Sequence, residues 1–219
     1  MNIKLLLFST FLLLSGFSTA TDTDNDGLPD DWEIANGRDP NVADYSLSLG
    51  DNHSCALDDT GVVCWGENTH GQAKVPALSN PTQVSAGASV TCSVDDTGLL
   101  CWGSSGFGQM FVPSLSNPTQ VSVGSVHTCA LDDTGLVCWG LNTTGQTTVP
   151  ALSNPTQVSV GFSHTCALDD NGVSCWGDNN NGETTVPALS NPTQVSAGEN
   201  RTCAVDDGGV ICWGLSSDV

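Results

Sequence analysis

The chain has very few basic residues. Four lysines and arginines stand against 24 aspartates and glutamates in 219 residues, so the formal net charge at pH 7 is −20. A chain of this charge repels the phosphate backbone of nucleic acids and the anionic surface of membranes. We therefore expect no nucleic-acid partner.

Long apolar runs are also lacking beyond the first twenty residues. Within residues 1–20, Lys4 precedes an apolar run from Leu5 to Leu14, and Ser18 and Ala20 occupy the −3 and −1 positions of a cleavage site. This pattern is typical of a secretory signal peptide, and the run is too short to span a bilayer comfortably. The sequence predicts a protein without a membrane span that is secreted to the extracellular space, the periplasm or the cell surface.

No window of the chain shows a sustained helical period, and a 37-residue repeat is present instead. Each repeat has two cysteines nine positions apart with Trp-Gly after the second, and copies of LSNPTQVS link the repeats. A fixed period of this length indicates a repeat architecture. The units are 46–82, 83–119, 120–156, 157–193 and an incomplete 194–219, called units 1 to 5 below.

Each unit contains four short segments that are typical of strands. In unit 4 they are 156–161, 164–169, 172–177 and 184–188, separated by Gly, Asn, Asp or Pro. Four strands in 37 residues suit one blade of a β-propeller, in which radial repetition protects the sheet edges. We predict an all-β propeller of four-stranded blades over residues 46–219.

The paired cysteines predict one disulfide in each unit. If Asp132 to Gly135 form a hairpin loop, then Leu131 faces Leu136 and Cys129 faces Cys138. Directly opposite residues lie within the range that a disulfide accepts, and export favours oxidation. A zinc site would need closer cysteine spacing and histidine partners. The predicted bridges are Cys55–Cys64, Cys92–Cys101, Cys129–Cys138, Cys166–Cys175 and Cys203–Cys212.

Residues Gly161–Ala188 resemble the repeat of the regulator of chromosome condensation family, which carries a Gly, a His, Ala-Leu, a glycine turn and Trp-Gly in each blade. The segment Gly145–Ala151 is similar to the secreted branch that includes the propeller-type β-lactamase inhibitory protein. The resemblance implies a propeller that usually closes with seven blades. We expect an incomplete seven-bladed propeller, or closure with five units or through self-association.

An aspartate-rich loop precedes the repeats, in a segment of residues 21–45. It fits the pattern D-x-D-x-D-G-x5-E, which wraps carboxylates around one hard cation, and Gly27 permits the sharp turn. The segment resembles an EF-hand-like loop of the thrombospondin type 3 calcium repeats. We predict a structural Ca²⁺ held by Asp22, Asp24, Asp26, Leu28, Asp30 and Glu33.

Other polar groups favour structure over catalysis. Adjacent carboxylates such as Asp132 and Asp133 recur at the same place in every unit, which indicates turn chemistry rather than acid–base pairs. His53, His127 and His164 precede the first cysteine of their units and are expected to be packed and hydrogen-bonded. No nucleophile–base arrangement is evident, so we predict that the chain is not an enzyme.

The strand residues barely change between the units, whereas two loops vary, one before the first cysteine and one after Trp-Gly. A constant scaffold with variable loops is how rigid folds present binding surfaces. Unit 2 replaces small polar residues with aromatics and Met, which are frequent at interfaces, although they could instead fill a local gap or cover the partner of a missing blade. The predicted ligand-binding residues are Phe107, Met110, Phe111, Phe162 and Arg201.

These observations predict a secreted, disulfide-stapled propeller that binds an extracellular or periplasmic protein through its variable loops. The alternative is a cell-surface structural or adhesion module in which the calcium loop is a spacer. A role like that of the β-lactamase inhibitory protein, or the family's nucleotide-exchange activity on a GTPase, is less favoured.

Overall fold

The computed structural model describes residues 46–58, 61–104 and 106–215, together with the isolated positions 21, 23, 34 and 41. The predicted signal peptide and the six predicted calcium ligands lie outside the described residues. No helix within the described part of the chain is long and apolar enough to cross a membrane.

The described residues between 46 and 215 contain fifteen β-strands, which confirms the all-β prediction. Each unit contributes one strand of four residues followed by two strands of six residues. The strands are β1 Ser46–Leu49, β2 His53–Asp58, β3 Gly61–Gly66, β4 Gln83–Ala86, β5 Val90–Asp95, β6 Gly98–Gly103, β7 Gln120–Val123, β8 His127–Asp132, β9 Gly135–Gly140, β10 Gln157–Val160, β11 His164–Asp169, β12 Gly172–Gly177, β13 Gln194–Ala197, β14 Arg201–Asp206 and β15 Gly209–Gly214.

Each unit folds as one antiparallel sheet of three strands in sequence order. In unit 3, Leu131 pairs with Leu136 and Cys129 pairs with Cys138, as the sequence predicts. Gly135 has a φ of 117°, which favours glycine at this position of the turn. The same register recurs in every unit, and all five predicted disulfides are present, with Cα–Cα separations of 4.0–4.1 Å.

The predicted fourth strand of each blade is wrong. In unit 4, residues 184–188 follow a turn and pair with no strand of the described chain. The amide of Thr184 donates to the Asn179 side chain, and the amide of Thr185 donates to the Gly182 carbonyl. Pro187 has no amide hydrogen. The donors that a strand would need are therefore used by the preceding turn or missing.

Neighbouring sheets pack through an apolar contact that repeats from unit to unit. Between units 3 and 4, Cys129, Leu131 and Leu136 pack against Val158 and Val160 of β10. Corresponding clusters join units 1 and 2 and units 2 and 3. The first strand of each following unit is thus buried against the hairpin of the preceding one.

Polar side chains of one unit also bind the backbone of the next. The amide of Val158 donates to the Gln120 side chain at 2.8 Å, and the amide of Val160 donates to the Ser122 hydroxyl at 3.0 Å. Equivalent bonds recur at the other contacts. These bonds satisfy amides on the open edge of each first strand, which would otherwise be unpaired at a dry contact.

A glycine after each first strand allows the backbones of adjacent units to approach. A Cβ on Gly124 would overlap the carbonyl oxygen of Gly161 and lie 2.6 Å from Cγ1 of Val160. Gly50, Gly87 and Gly161 make the same approach to the glycine of the following unit. This stack of glycines explains the recurrence of glycine at this position in units 1 to 4.

The paired aspartates hold the linker between units, which confirms turn chemistry. Asp132 accepts hydrogen bonds from the amide of Ser116 at 2.8 Å and from the amide and hydroxyl of Thr134. Asp133 accepts one from the side chain of Asn117, whose φ is 49°. The bonds from the serine amide to the first aspartate and from the asparagine side chain to the second recur in units 2 to 5, and we call this end of the sheets the constant rim.

Candidate functional site

The two variable loops of each unit lie together, at the end of the sheet opposite the constant rim. The first loop joins the first and second strands, and the second loop follows the third strand. The amide of Leu141 in the second loop of unit 3 donates to the carbonyl of Val126 in the first loop at 3.0 Å, and the other units make the same bond. We call this surface, formed by the described residues of 50–52 and 67–70 in unit 1 and of their counterparts, together with Phe111 and Arg201, which follow loops of units 2 and 5, the variable rim.

The first loops of all five units surround one cavity of about 300 Å³. Its wall consists of the ends of the first strands and the stacked glycines, which are alike in every unit. Four units add the residue after the glycine, and these side chains differ in charge, size and polarity. They are Asp51, Ser125, Phe162 and Glu199. We call this the axial cavity.

A buried polar side chain fixes the second loop in units 1 to 4, a role that was not predicted from the sequence. Gln109 is buried, and its side-chain oxygen accepts the amide of Phe107 at 2.9 Å. Its backbone carbonyl accepts the Trp139 indole and the Thr128 hydroxyl of the next unit. The recurrence of Gln at 37-residue spacing, with Glu183 replacing it in unit 4, is the signal that could have revealed it. The second loops are therefore anchored to the neighbouring unit.

The three candidate binding residues of unit 2 differ in their exposure to solvent. Phe107 and Phe111 are 51% and 69% exposed, although their backbone amides are held within the loop turn. Met110 instead packs against the apolar cluster that includes Val90 and Val121. Two aromatic side chains are therefore presented to solvent on a fixed backbone, while the methionine contributes to the contact with unit 3.

The other two candidates lie elsewhere on the variable rim. Phe162 is exposed and lines the axial cavity. The guanidinium of Arg201 donates two hydrogen bonds to the carbonyl of Leu215, which ties the two loops of unit 5 together. Ligand binding by these residues stays a prediction, and the residues after the glycines, Asp51 and Glu199 among them, join the candidate site.

Charge is unevenly distributed on the variable rim. Among the described loop residues, carboxylates occur only in units 1, 4 and 5, as Asp51, Glu67, Asp178 and Glu199. The loops of units 2 and 3 carry small polar and apolar residues, including the exposed Phe107. The rim therefore has an apolar sector flanked by sectors that carry carboxylates, and Arg201 adds one cationic side chain in unit 5.

Three histidines below the variable rim are packed between units, as predicted. His53, His127 and His164 are buried, and their Nε2 atoms lie 2.7–2.9 Å from threonine hydroxyls of the following unit. Burial lowers the pKa of all three imidazoles. The pKa of His127 falls to about 4, because burial is reinforced by the nearby His164. Val90 occupies this position in unit 2.

The described residues contain no cluster of three or more His, Cys, Asp or Glu side chains that could hold a metal ion, and their cysteines are all in disulfides. The predicted calcium site lies outside the described residues and stays a prediction. The variable rim presents aromatic and charged side chains.

Solved propellers resemble this chain over most of its length. The CRINKLY WD40 ectodomain of the Arabidopsis thaliana receptor kinase ACR4 is 27% identical with a TM-score of 0.67, over 80% of this chain and 74% of that chain. The ectodomain of the Physcomitrella patens receptor kinase CR4 is 27% identical with a TM-score of 0.66, over 79% of this chain and 52% of that chain. This chain therefore spans about half to three quarters of these ectodomains.

A more distant structure is similar in fold. Prp20p from Saccharomyces cerevisiae, described with its binding to Gsp1p and histones, is 19% identical with a TM-score of 0.67, over 80% of this chain and 58% of that chain. None of the curated proteins compared with the chain matches it significantly. The resemblances to the β-lactamase inhibitory protein and to thrombospondin type 3 repeats stay predictions.

The family model of the regulator of chromosome condensation (RCC1) repeat matches residues 45–72, 119–146 and 156–183. These segments lie in units 1, 3 and 4, and the remaining two units share their strands, register and disulfides. Three units of the chain therefore match the RCC1 repeat model, and its five units form an RCC1-like β-propeller.

Proposed function

We propose that this chain is a secreted binding module that captures a protein partner on the variable rim. The observation that carries the proposal is the exposure of Phe107 and Phe111 on a loop whose backbone is fixed by the buried Gln109. Exposed aromatic side chains dominate the binding energy of many interfaces. A fixed backbone also reduces the entropy lost on association.

The chemistry of the rim defines the partner. The apolar sector of units 2 and 3 suits an apolar patch, and the flanking carboxylates, such as Asp51 and Glu199, suit lysines and arginines around it. With a net charge of −20, the whole chain attracts basic proteins and accelerates their association at low salt. We infer a partner with an apolar centre and a basic periphery.

An extracellular setting is supported by two independent observations. Five disulfides are typical of proteins that fold in an oxidising compartment. Two of the structural relatives are ectodomains of receptor kinases. The role we propose is binding without catalysis, and the absence of an enzymatic activity stays a prediction.

A double substitution tests the proposal. Proteins exported by the source organism would be passed over immobilised chain, and a retained protein would be purified and titrated against the variants. Phe107→Ala/Phe111→Ala should weaken binding by at least about 2 kcal/mol, because hot-spot aromatics would be lost. Leu100→Ala is the matched control, since Leu100 is an exposed apolar residue of β6 in the same unit but lies away from the variable loops.

The affinity for the partner should fall in the double variant and stay unchanged in the control. Leu100→Ala should bind like the wild type, and all variants should unfold at the wild-type denaturant concentration. Unchanged affinity of the double variant would overturn a binding role for the apolar sector.

A second candidate is a cell-surface adhesion module with a calcium-dependent spacer. It is favoured by the carboxylate spacing of residues 22–33, which fits an EF-hand-like loop. Calorimetric titration of the full chain with CaCl₂ should show one site, and Glu33→Gln should remove it. Surface retention that chelators do not release would contradict this candidate.

A further inference from the structure

The contacts between units contain buried histidines at three of four places. His53 lies between units 1 and 2, His127 between units 3 and 4, and His164 between units 4 and 5. The contact between units 2 and 3 has Val90 at the same position. The molecule thus contains three contacts with a titratable group and one without.

The hydrogen bonds of each contact identify the tautomer of its imidazole. The hydroxyl of Thr165 lies 2.9 Å from the carbonyl oxygen of Gln146, and a carbonyl can only accept, so the hydroxyl proton points to Gln146. The hydroxyl oxygen must then accept a hydrogen bond from Nε2 of His127, 2.7 Å away. Nε2 therefore carries the proton of the neutral ring. The same argument applies to the contacts of His53 and His164.

The other ring nitrogen has no partner. Nδ1 of each of the three imidazoles is buried and accepts no hydrogen bond. In His53 and His164 the Nδ1 edge faces the glycine of the unit's own first loop, where a Cβ would lie only 3.0 and 2.7 Å from Nδ1. A proton added to Nδ1 would find no acceptor. Protonation would therefore create a buried charge and a buried unsatisfied donor at once.

Few charges face these rings. Asp51 and Glu67 lie near His53, and Glu183 and Asp178 lie near His164, so carboxylates partly offset the cost of a proton there. His127 is instead faced by another imidazole, that of His164. The contact between units 3 and 4 is therefore the one that tolerates a proton least.

We propose that mild acid opens the histidine-containing contacts between units while the sheets themselves stay intact, so that the propeller is a pH-sensitive assembly. An unfolded or separated histidine takes up a proton near pH 6.5, whereas the buried rings remain neutral at that pH. The open state therefore binds more protons below this pH, and it gains population as the pH falls. Each sheet keeps its internal disulfide and its ladder hydrogen bonds.

Opening of the histidine-containing contacts would act directly on the variable rim. Each histidine immediately follows the first loop of its unit, and the second loop is bonded to that first loop. Opening the contacts would loosen both loops. The inference does not depend on the proposed partner, because the opening can be measured on the chain alone.

Hydrogen exchange of the full-length chain tests the proposal at single amides. The amides of Val158 and Val160 donate across the contact with His127, and those of Val121 and Val123 donate across the contact with Val90. On going from about pH 7 to about pH 5, the protection factors of the first pair should fall at least about tenfold relative to the second pair. The contact between units 2 and 3 is thus an internal control.

Substitution provides a second control. His127→Val reproduces the arrangement of unit 2 and should abolish the acid-induced loss of protection at Val158 and Val160, while the contact with His164 keeps its response. His127→Gln, which keeps a polar but non-titrating side chain, serves the same purpose if the valine variant does not fold. Equal loss of protection at all four contacts, or no loss at any of them, would overturn the proposal.

Discussion

The two rims of the propeller use their side chains in opposite ways. On the constant rim, the polar side chains form hydrogen bonds with one another and with the linker backbone. In unit 3 these side chains are Asp132, Asp133, Asn117 and Thr134. On the variable rim, the loops are held from below by buried groups such as Gln109 and by backbone bonds. Side chains that are not needed to shape a loop are free to differ between units. The difference indicates that side chains of the constant rim fix the linkers, whereas the variable rim leaves side chains available for the binding role proposed above.

The largest loss of stability is expected at the constant glycine that begins each first loop of the variable rim. Gly124→Ala should lower the free energy of unfolding by at least about 3 kcal/mol, because the new methyl group would overlap the Gly161 carbonyl of the next unit. Gly198→Ala is the matched control, since the nearest atom to its Cβ would be 3.6 Å away. Urea unfolding of both variants measures the difference. Equal destabilisation would show that the glycine stack is not a close contact.

The next effect is expected on the constant rim. Asp132→Ala should cost about 1–3 kcal/mol, because the amides of Ser116 and Thr134 would lose a charged acceptor. Asp133→Ala should cost less than about 1 kcal/mol, since this exposed carboxylate accepts a single bond from Asn117. Denaturant midpoints at neutral pH distinguish the two. A larger loss for Asp133 would contradict the assignment of the rim's stability to the first aspartate of each pair.

Acid should also weaken the constant rim, but in a lower pH range than the one in which it weakens the histidine-containing contacts. The amide of Ser153 holds the pKa of Asp169 below its ordinary value; burial opposes this shift, and hydrogen bonds from Asn171 add to it. Asp95 and Asp132 also have lowered pKa values. A lowered carboxylate pKa adds stability above the unfolded value, about 3.9, and that stability is lost as the pH falls further. Urea midpoints should therefore drop again below about pH 4, and less so in Asp132→Asn.

The smallest effect is expected for the exposed aromatic residues. Phe111→Ala should change the free energy of unfolding by less than about 0.5 kcal/mol, because its side chain is largely in solvent. Met110→Ala should cost more, since Met110 packs against the core between units 2 and 3. Thermal unfolding of both variants tests whether, within this loop, Phe111 is exposed without stabilising the fold while Met110 stabilises it by packing. A large loss for Phe111→Ala would mean that the loop itself depends on this ring.

Local features of the fold could be predicted from the sequence. The hairpin register follows from Gly135 and from the spacing of Cys129 and Cys138, because all of these residues lie within ten positions of one another. The packed state of His127 followed from its place on the same face of the strand as the cysteine. The predicted fourth strand failed because turn hydrogen bonds around Asn179 compete for the amides that a strand would use.

Contacts between units were harder to predict. The glycine stack and the acceptor role of Gln109 depend on residues that approach only after two sheets pack together. The location of both variable loops on one rim follows from antiparallel pairing, and the sequence contained that information. The side chains that surround the axial cavity, such as Asp51 and Glu199, could not be selected because their convergence depends on the curvature of the five sheets.

The disulfides have a consequence for how such a chain can change in length. Every bridge joins cysteines nine positions apart within one sheet, and none of the five crosses from one unit to another. Duplication or deletion of 37 residues would therefore leave every remaining cysteine with its own partner, and it would remake only one contact between sheets. The covalent framework permits gain and loss of whole blades, so the number of loops available for recognition can change without any change in disulfide connectivity.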